Sequence, residues 1–145
     1  MASDNSSIVK AFLAELGTGS LDRALSYLAE DATWAIVQVA RGVTISKLQL
    51  KDRLTAMRAS FKNNTMQLKP IDIIEGNGAL AVELDGLAET NLDKMYTNKY
   101  CLIFKMANEK IASVREYNDS VHVTEILLPA MAHTMAQSAQ KGTSR

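Results

Sequence analysis

Three carboxyl side chains in the second half of the chain are the residues best suited to move a proton. Glu83, Asp85 and Glu116 lie in segments that alternate apolar and polar residues, as β-strands do, and Asn98 and Tyr100 lie in a strand segment between them. Carboxyl groups crowded in an apolar cavity favour protonation, because burial and mutual repulsion both disfavour the charged form. One of them can then exchange a proton near neutral pH. A phenol can donate to a developing oxyanion, and an amide can orient a carbonyl. These residue types indicate removal of a proton beside a carbonyl group.

The alternation of the strand residues supports a second interpretation of the acids. A strand sends successive side chains to opposite faces. Alternation alone places Leu80, Val82 and Leu84 in the core and leaves Glu83 and Asp85 in water. Acids that are buried can also belong to a satisfied polar network that shapes a pocket and does no chemistry. The pattern leaves both interpretations open.

Helix signals occupy the first part of the chain. Asp4 and Ser20 are residues that cap a helix N-terminus, and each precedes apolar residues at helical spacing. Ser46 and Gln49 have the spacing of a capping box, which predicts a third amphipathic helix. Between the second and third helices lie a predicted strand and a connection, residues 32–37 and 41–44.

Strand signals follow the third helix. Asn77 and Gly78 are the dipeptide favoured in a type I′ hairpin turn, and Pro70 indicates an edge strand or a bulge. A short helix over residues 121–128 is expected to end before Pro129. The predicted strands cover residues 66–74, 79–89, 95–106 and 111–119.

Helices followed by strands indicate an α+β fold, with the helices covering one face of a mostly antiparallel sheet. A strongly curved sheet of this kind can enclose a pocket in which small apolar ligands bind. The length of 145 residues is that of one domain. We expect a single domain over residues 1–145, with its core at residues 4–128 and a partly disordered extension over residues 129–145.

The composition disfavours several classes of protein. The chain has 16 Lys and Arg against 16 Asp and Glu, whereas proteins that bind nucleic acid usually carry a basic excess. Cys101 is the only cysteine, and nothing in the pattern makes His122 and His133 converge on a metal. No apolar run approaches the roughly 18 residues that cross a bilayer. We therefore expect a cytoplasmic protein that needs no cofactor or metal and binds neither nucleic acid nor membrane.

Several segments carry a resemblance to a known family. They are VKAFLAELG (9–17), AEDATW (29–34), GVTISK (42–47), AVE (81–83), YTNKY (96–100) and KIASVREYND (110–119). Their order and spacing resemble the SnoaL-like branch of the nuclear transport factor 2-like superfamily, which includes ketosteroid isomerases, limonene epoxide hydrolases and small polyketide cyclases. The similarity spans residues 6–127 and is more specific for the fold than for an activity, because this fold hosts unrelated functions.

The resemblance implies a cone-shaped fold, in which a strongly curved sheet wraps around the helices and encloses a deep pocket. Relatives often pair through the outer sheet face, so it also implies a homodimer. On this basis the acids point into the pocket, and Leu80, Val82 and Leu84 are buried on the convex side. The implied catalytic residues are Glu116, Glu83 and Asp85. The implied ligand-binding residues are Tyr100, Asn98, Trp34 and Leu102.

Two activities of the resembling enzymes do not transfer to this sequence. Limonene epoxide hydrolases use an Arg between two aspartates, with a Tyr and an Asn that hold the water. Glu83 stands at the position of the Arg, and Asp85 and Glu116 stand at those of the aspartates. Trp34 and Ile36 replace the Tyr and the Asn, so we do not expect epoxide hydrolysis. The strand that carries the base of ketosteroid isomerases reads WAIVQVA here, without a carboxylate.

The sequence therefore predicts a protein that binds a small hydrophobic molecule in an acid-lined apolar pocket. Its expected chemistry is that of a cofactor-independent isomerase or cyclase, in which Glu116 or Glu83 transfers a proton on a carbonyl compound. Asp85 is expected to be coupled to these acids, and Tyr100 and Asn98 to position the compound. A non-catalytic ligand-binding module and a protein-interaction dimer of the same fold are the alternatives.

Overall fold

In the part of the chain that the structure describes, six strands form one curled sheet that does not close into a barrel, and helices pack against its concave face. The computed structural model describes residues 4–37 and 43–143. The strands are β1 (Leu28–Ile36), β2 (Val43–Ser46), β3 (Gln67–Gly76), β4 (Ala79–Glu89), β5 (Met95–Ala107) and β6 (Lys110–Asn118). The helices are α1 (Asn5–Gly17), α2 (Leu21–Ser26), α3 (Lys47–Ala59), α4 (Ser120–His122) and α5 (Leu128–Thr143). The expected α+β cone fold is confirmed.

The three N-terminal helices begin at the predicted capping residues. The Asp4 carboxylate accepts from the backbone N–H of Ser6, and the Ser20 hydroxyl accepts from that of Arg23. The capping box is complete at α3, where the Ser46 hydroxyl and the Gln49 side chain each accept from the other residue's backbone N–H group. These local bonds fix where each helix starts and therefore which side chains face the sheet.

The strand order across the sheet is β2-β1-β6-β5-β4-β3. Only β1 and β6 are parallel; the other described neighbours are antiparallel. Asn77 and Gly78 both have positive φ, 52° and 71°, as a type I′ hairpin requires. Pro70 lies on the edge strand β3 beside a register shift at Pro70 and Asp72, so its missing N–H group is accommodated.

The region between α2 and α3 differs from the prediction. Strand β1 begins at Leu28, four residues before the predicted start, because its first part pairs with Ile111 of β6. Residues 43 and 44, predicted to belong to a connection, are part of the short strand β2, with Val43 opposite Ile36. The rest of the predicted connection, residues 41 and 42, lies outside the described residues.

The main core lies between α1 and the concave face of the sheet. The Phe12 ring of α1 packs against Trp34 and Phe104, with ring centroids 6.2 and 5.9 Å apart. Leu80, Val82 and Leu84 of β4 are buried in the same core. The expectation that these three residues are buried on the convex side is therefore wrong, and the placement given by alternation alone is right.

The chain after β6 continues as a helical segment with a widened turn. Helix α4 passes into a π-helical turn, Val123–Leu127, and then into α5. Pro129 does not end the helix as predicted; it lies directly after the π-helical turn, at the second residue of α5. Residues expected to form a partly disordered extension are helical as far as Thr143, and Ala130 is fully buried. In the described residues, no helix has the length and apolar character needed to cross a membrane.

Candidate active site

A cavity of about 740 Å³ lies between the concave sheet face and the helices α3 and α5. Most of its wall is apolar and carries a smaller number of polar groups, which is the usual composition of a small-molecule site. The polar groups of the sheet lie on β5 and β6, and further polar side chains come from α3 and from the segment after β6. The apolar lining comprises Trp34, Ile36, Ile45, Leu50, Leu54, Met57, Val123, Leu127, Leu128 and Met131.

Glu116 of β6 is the half-buried carboxylate of the cavity wall. The indole Nε1 of Trp34 donates to its Oε1 at 2.9 Å, and Nδ2 of Asn118 donates to its Oε2 at 2.6 Å. Trp34 belongs to β1, which runs parallel to β6 with Ile36 opposite Glu116. Each carboxylate oxygen accepts one of these hydrogen bonds and retains a second lone pair. The arrangement fixes the carboxylate in place and leaves it able to accept a proton from a ligand.

Tyr100 and Tyr96 of β5 both line the cavity, and their hydroxyl oxygens lie 2.7 Å apart. Burial raises the pKa of Tyr100 well above its ordinary value, and the neighbouring Tyr96 and the charge of Glu116 raise it further. Burial also raises the pKa of Tyr96, against the opposing effect of its hydrogen bonds to Tyr100 and Asn98. Both phenols therefore keep their protons at neutral pH and can act as hydrogen-bond donors.

Gly86 of β4 provides the space in which the Tyr100 ring lies. A Cβ atom added at Gly86 would lie 2.8 Å from Cε2 of Tyr100, closer than side chains tolerate. Gly86 pairs directly with Asn98 on the neighbouring strand. Because Gly86 has no side chain, the ring of Tyr100 can pack directly against the backbone of β4.

Glu83 and Asp85 do not reach the cavity, contrary to the expectation from the resemblance. Glu83 is exposed, and Asp85 forms an ion pair with Lys99 at 2.7 Å on the outer face. The pairing of β4 with β5 explains this placement, since directly opposed residues share a face. Leu84 opposes Tyr100, so the acids on either side of Leu84 must point outward. The predicted cluster of three acids is therefore wrong, and of the three only Glu116 lines the cavity.

The predicted ligand-binding residues divide into two groups. Trp34 and Tyr100 line the cavity. Leu102 lies in the main core, and Asn98 is buried behind the wall, where it hydrogen bonds to Tyr96 and to the backbone of Asp119. Asn98 therefore does not touch the cavity itself and is linked to it by its hydrogen bond to the Tyr96 hydroxyl.

Several lining residues were not predicted from the sequence. Tyr96 and Asn118 follow the alternation of Tyr100 and Glu116, so that pattern contained the signal for both. The lining residues of α3 and of the C-terminal helices could not be inferred, because their positions depend on how the helices pack. The polar ones are Gln49, Asp52, Arg53, Ser120 and Thr124. Across residues 4–37 and 43–143, no group of three or more His, Cys, Asp or Glu side chains is placed to hold a metal ion.

Comparison with known proteins gives a family. The model of the SnoaL-like domain family matches residues 9–114. No curated protein matches the chain significantly.

Solved structures show the same fold. An NTF2-like protein from Anabaena variabilis ATCC 29413 is 24% identical, with a TM-score of 0.68, covering 82% of this chain and 92% of that one. PrhC from Penicillium brasilianum is 14% identical, with a TM-score of 0.79 and coverage of 91% and 90%. IdmH, a proposed polyketide cyclase from Streptomyces antibioticus, is 12% identical, with a TM-score of 0.71 and coverage of 89% and 99%. With a family model that covers most of its length and a fold shared with these structures, the chain belongs to the SnoaL-like domain family, within the NTF2-like fold.

Proposed function

We propose that the protein binds a small hydrophobic carbonyl compound in this cavity and transfers a proton on it without a cofactor, as an isomerase or a cyclase. The observation that carries the proposal is the position of Glu116, a half-buried carboxylate held by two hydrogen bonds in the sheet side of a largely apolar wall, beside the protonated phenol of Tyr100. A base next to a hydrogen-bond donor is the pair that enolisation requires. IdmH, with the same fold, is a proposed polyketide cyclase, which is compatible with this chemistry.

Glu116 acts as the base in the proposed reaction. A carboxylate oxygen takes the proton from the carbon next to the ligand's carbonyl, and the electron pair of the broken C–H bond moves toward the carbonyl oxygen. Tyr100 donates a hydrogen bond to the enolate oxygen and stabilises its charge. In an isomerisation, Glu116 returns the proton to another carbon of the enolate. In a cyclisation, the enolate carbon attacks a second carbonyl carbon, and the new alkoxide takes the proton from Glu116.

Trp34 and Asn118 position the base. Their two hydrogen bonds come from different strands, so the carboxylate cannot rotate without losing at least one of them. Such pre-organisation avoids the reorganisation that a freely rotating carboxylate would need during the reaction. The apolar part of the wall binds the hydrocarbon part of the ligand and excludes water from the charges.

Non-catalytic binding of the same class of ligand is the second candidate function. It is favoured by the hydrogen bonds on both oxygens of Glu116, since a carboxylate held in this way can also be a structural member of the wall. The two functions share the cavity and differ only in whether the proton moves. A measurement of proton exchange on a bound ketone therefore separates them.

The test of the proposed function has two parts. Native mass spectrometry of the purified protein reports any retained small molecule and the number of subunits. Loss of deuterium from the α-carbons of deuterated hydrophobic aryl ketones, followed by NMR, then reports proton removal. We expect the wild-type protein to accelerate this loss, Glu116→Gln to abolish the acceleration, and the matched outer-face variant Glu83→Gln to retain it. Binding without accelerated exchange would establish the non-catalytic function, and equal exchange in wild type and Glu116→Gln would reject the base.

We also propose that the protein is a homodimer that pairs through the outer face of the sheet. Ile71 and Ile74 of the edge strand β3 are 52% and 66% exposed, and Cys101 of the outer face is only partly covered. Apolar side chains grouped on one face favour association with a partner. Light scattering coupled to size-exclusion chromatography is expected to give twice the mass of the chain, and Ile74→Lys to lower it. A wild-type monomer at micromolar concentration would reject the dimer.

A further inference from the structure

The backbone of Asp119 fixes the orientation of the Asn98 side-chain amide. The backbone N–H of Asp119 donates to Oδ1 of Asn98 at 2.8 Å, and Nδ2 of Asn98 donates to the carbonyl oxygen of Asp119 at 3.1 Å. A backbone N–H group can only donate, so the atom facing it must be the amide oxygen. The assignment of oxygen and nitrogen in this buried amide therefore follows from the hydrogen bonds themselves.

The orientation of Asn98 determines the role of the Tyr96 hydroxyl. The remaining N–H of the Asn98 amide points to the Tyr96 hydroxyl oxygen, 2.7 Å from Nδ2. An amide N–H group cannot accept, so the Tyr96 oxygen accepts this bond and must donate its own proton elsewhere. Tyr96 is fully buried, and the hydroxyl of Tyr100 is the other partner of its oxygen. The proton of Tyr96 therefore lies between the two phenols and is donated to Tyr100.

The proton of Tyr100 is then directed away from Tyr96. Tyr100 keeps some exposure and lines the cavity, so a ligand oxygen can receive this proton. We propose that Asn98 is a positioning residue that sets the direction of the chain Asn98 to Tyr96 to Tyr100, so that Tyr100 faces the ligand as a hydrogen-bond donor. Each hydroxyl in the chain accepts one bond before it donates the next, which strengthens the last donor. The ligand class selected at this position has an acceptor oxygen, such as a ketone or an enolate, rather than a donor.

This inference rests on the proposed function for the identity of the ligand. The direction in which the hydrogen bonds run from Asn98 through Tyr96 to Tyr100 is a property of the free protein. Its first test therefore uses no ligand. In protein labelled with ¹³Cζ-tyrosine and dissolved in a mixture of light and heavy water, a slowly exchanging hydroxyl proton splits the ¹³Cζ signal of the tyrosine that carries it. We expect the splitting at Tyr96 and not at Tyr100, whose hydroxyl opens to the cavity. Splitting at Tyr100 alone would show that the chain runs the other way and would overturn the inference.

The second test uses a matched pair of probes, 2-acetylnaphthalene and 2-ethylnaphthalene, which differ by one acceptor oxygen. Wild type is expected to bind the ketone more tightly, by about three- to tenfold, as one hydrogen bond allows. The infrared carbonyl stretch of the bound, ¹³C-labelled ketone is expected to lie below its value in hexane. Tyr100→Phe should abolish both effects, and the outer-face control Tyr117→Phe should leave them unchanged.

In the second test, Asn98→Asp is expected to reverse the direction of the hydrogen bonds between residue 98, Tyr96 and Tyr100. An aspartate still accepts from the backbone N–H of Asp119, but its other oxygen accepts from Tyr96, so that Tyr100 donates inward to Tyr96. We expect the ketone preference to fall to about onefold and the carbonyl stretch to rise toward its hexane value. Unchanged values in a folded Asn98→Asp protein would overturn the inference.

Tyr96→Phe provides the test if Asn98→Asp does not fold, because it keeps the ring stacked on Phe61, with centroids 6.0 Å apart. It removes the bond that Tyr100 accepts, so the carbonyl stretch is expected to rise in part. An unchanged stretch in this variant would again overturn the inference. Failure of wild type to bind the ketone at all would count against the proposed function, while the hydroxyl splitting would still decide the direction of the chain.

Discussion

Trp34 and Glu116 are joined by a hydrogen bond of 2.9 Å between the indole Nε1 and Oε1, across the only parallel strand pair in the described part of the sheet. The indole edge thus holds the carboxylate while the ring packs on Phe12 of α1. One side chain therefore links the hydrophobic core to the proposed base. Changes at this position are expected to affect stability and activity together.

Trp34→Phe is expected to lower the free energy of unfolding by about 2 kcal/mol, because Glu116 loses a donor and the smaller ring leaves space in the core. The measurement is urea denaturation of the single variants Trp34→Phe and Glu116→Met and of the double variant. The two changes should be coupled by about 1 kcal/mol, since each removes the same hydrogen bond. Strictly additive effects would contradict an energetically significant bond between these residues.

The raised pKa values of Tyr96 and Tyr100 predict a loss of stability in alkali. Their folded pKa lies above the unfolded value of about 10, so the folded state holds these protons more tightly. The corresponding stability is fully present below pH 10 and is lost as the pH rises toward the folded pKa. Denaturation at intervals from pH 8 to pH 11 should show a smaller alkaline loss in Tyr100→Phe than in wild type. The control Tyr117→Phe should follow wild type, and equal losses in Tyr100→Phe and wild type would refute the prediction.

Gly86→Ala is expected to destabilise the protein by about 1–3 kcal/mol, because the new methyl group meets the Tyr100 ring at 2.8 Å. The ring must move, so the variant should also bind a ketone probe more weakly. Gly76→Ala is the matched control, since a Cβ atom there has nothing within 4 Å. Thermal unfolding of both variants tests the prediction, which fails if the two glycine positions tolerate alanine equally.

Arg58 of α3 takes no part in the proposed chemistry, but we expect its substitution to lower the free energy of unfolding strongly. It is only 5% exposed, and its guanidinium donates to the backbone carbonyl oxygens of Asn64 and Gly19 at 2.7 and 2.8 Å. Arg58→Met removes both bonds and is expected to lower the free energy of unfolding by about 2–4 kcal/mol. Arg58→Lys should restore little, because an ammonium cannot reproduce the planar fork. The exposed residue Arg53 of the same helix is the control, and an equal effect of Arg53→Met would contradict the prediction.

The local signals in the sequence predicted the elements of the fold well. The caps at Asp4, Ser20 and Ser46 and the hairpin at Asn77 and Gly78 depend on neighbouring residues only, so they could be identified without the fold. Strand β2 and the continuation of the helix beyond Pro129 could not be identified in this way. Both depend on pairing or packing with segments distant in sequence.

The face on which the acids lie was the main error in the predicted site. Alternation shows that Glu83 and Asp85 share a face, but it does not show which face is concave. The resemblance suggested the wrong one. Residues opposite each other across an antiparallel pair share a face, so the pairing of Leu84 with Tyr100 decides the question. That register depends on the turn after β4, which the sequence does not specify.

The family match covers residues 9–114 and therefore ends before Glu116 and Asn118. Membership of the family accounts for the fold but gives no information on the acid and the amide at the end of β6. The resemblance, and not alternation, led to the prediction that Glu116 faces the pocket, and Asn118 was not predicted. In the structure Glu116 is in phase with Val114 of the core. The proposed chemistry therefore depends on the part of β6 that the family model leaves uncovered.

The C-terminal helices complete the cavity wall through Val123, Leu127 and Met131. During synthesis on a ribosome these residues emerge after all six strands, so the sheet can form while that side of the cavity is still open. A nascent chain would therefore hold its ligand only after the last helix has docked. On the proposed function, the cavity would thus become able to hold a ligand only after the sheet has formed.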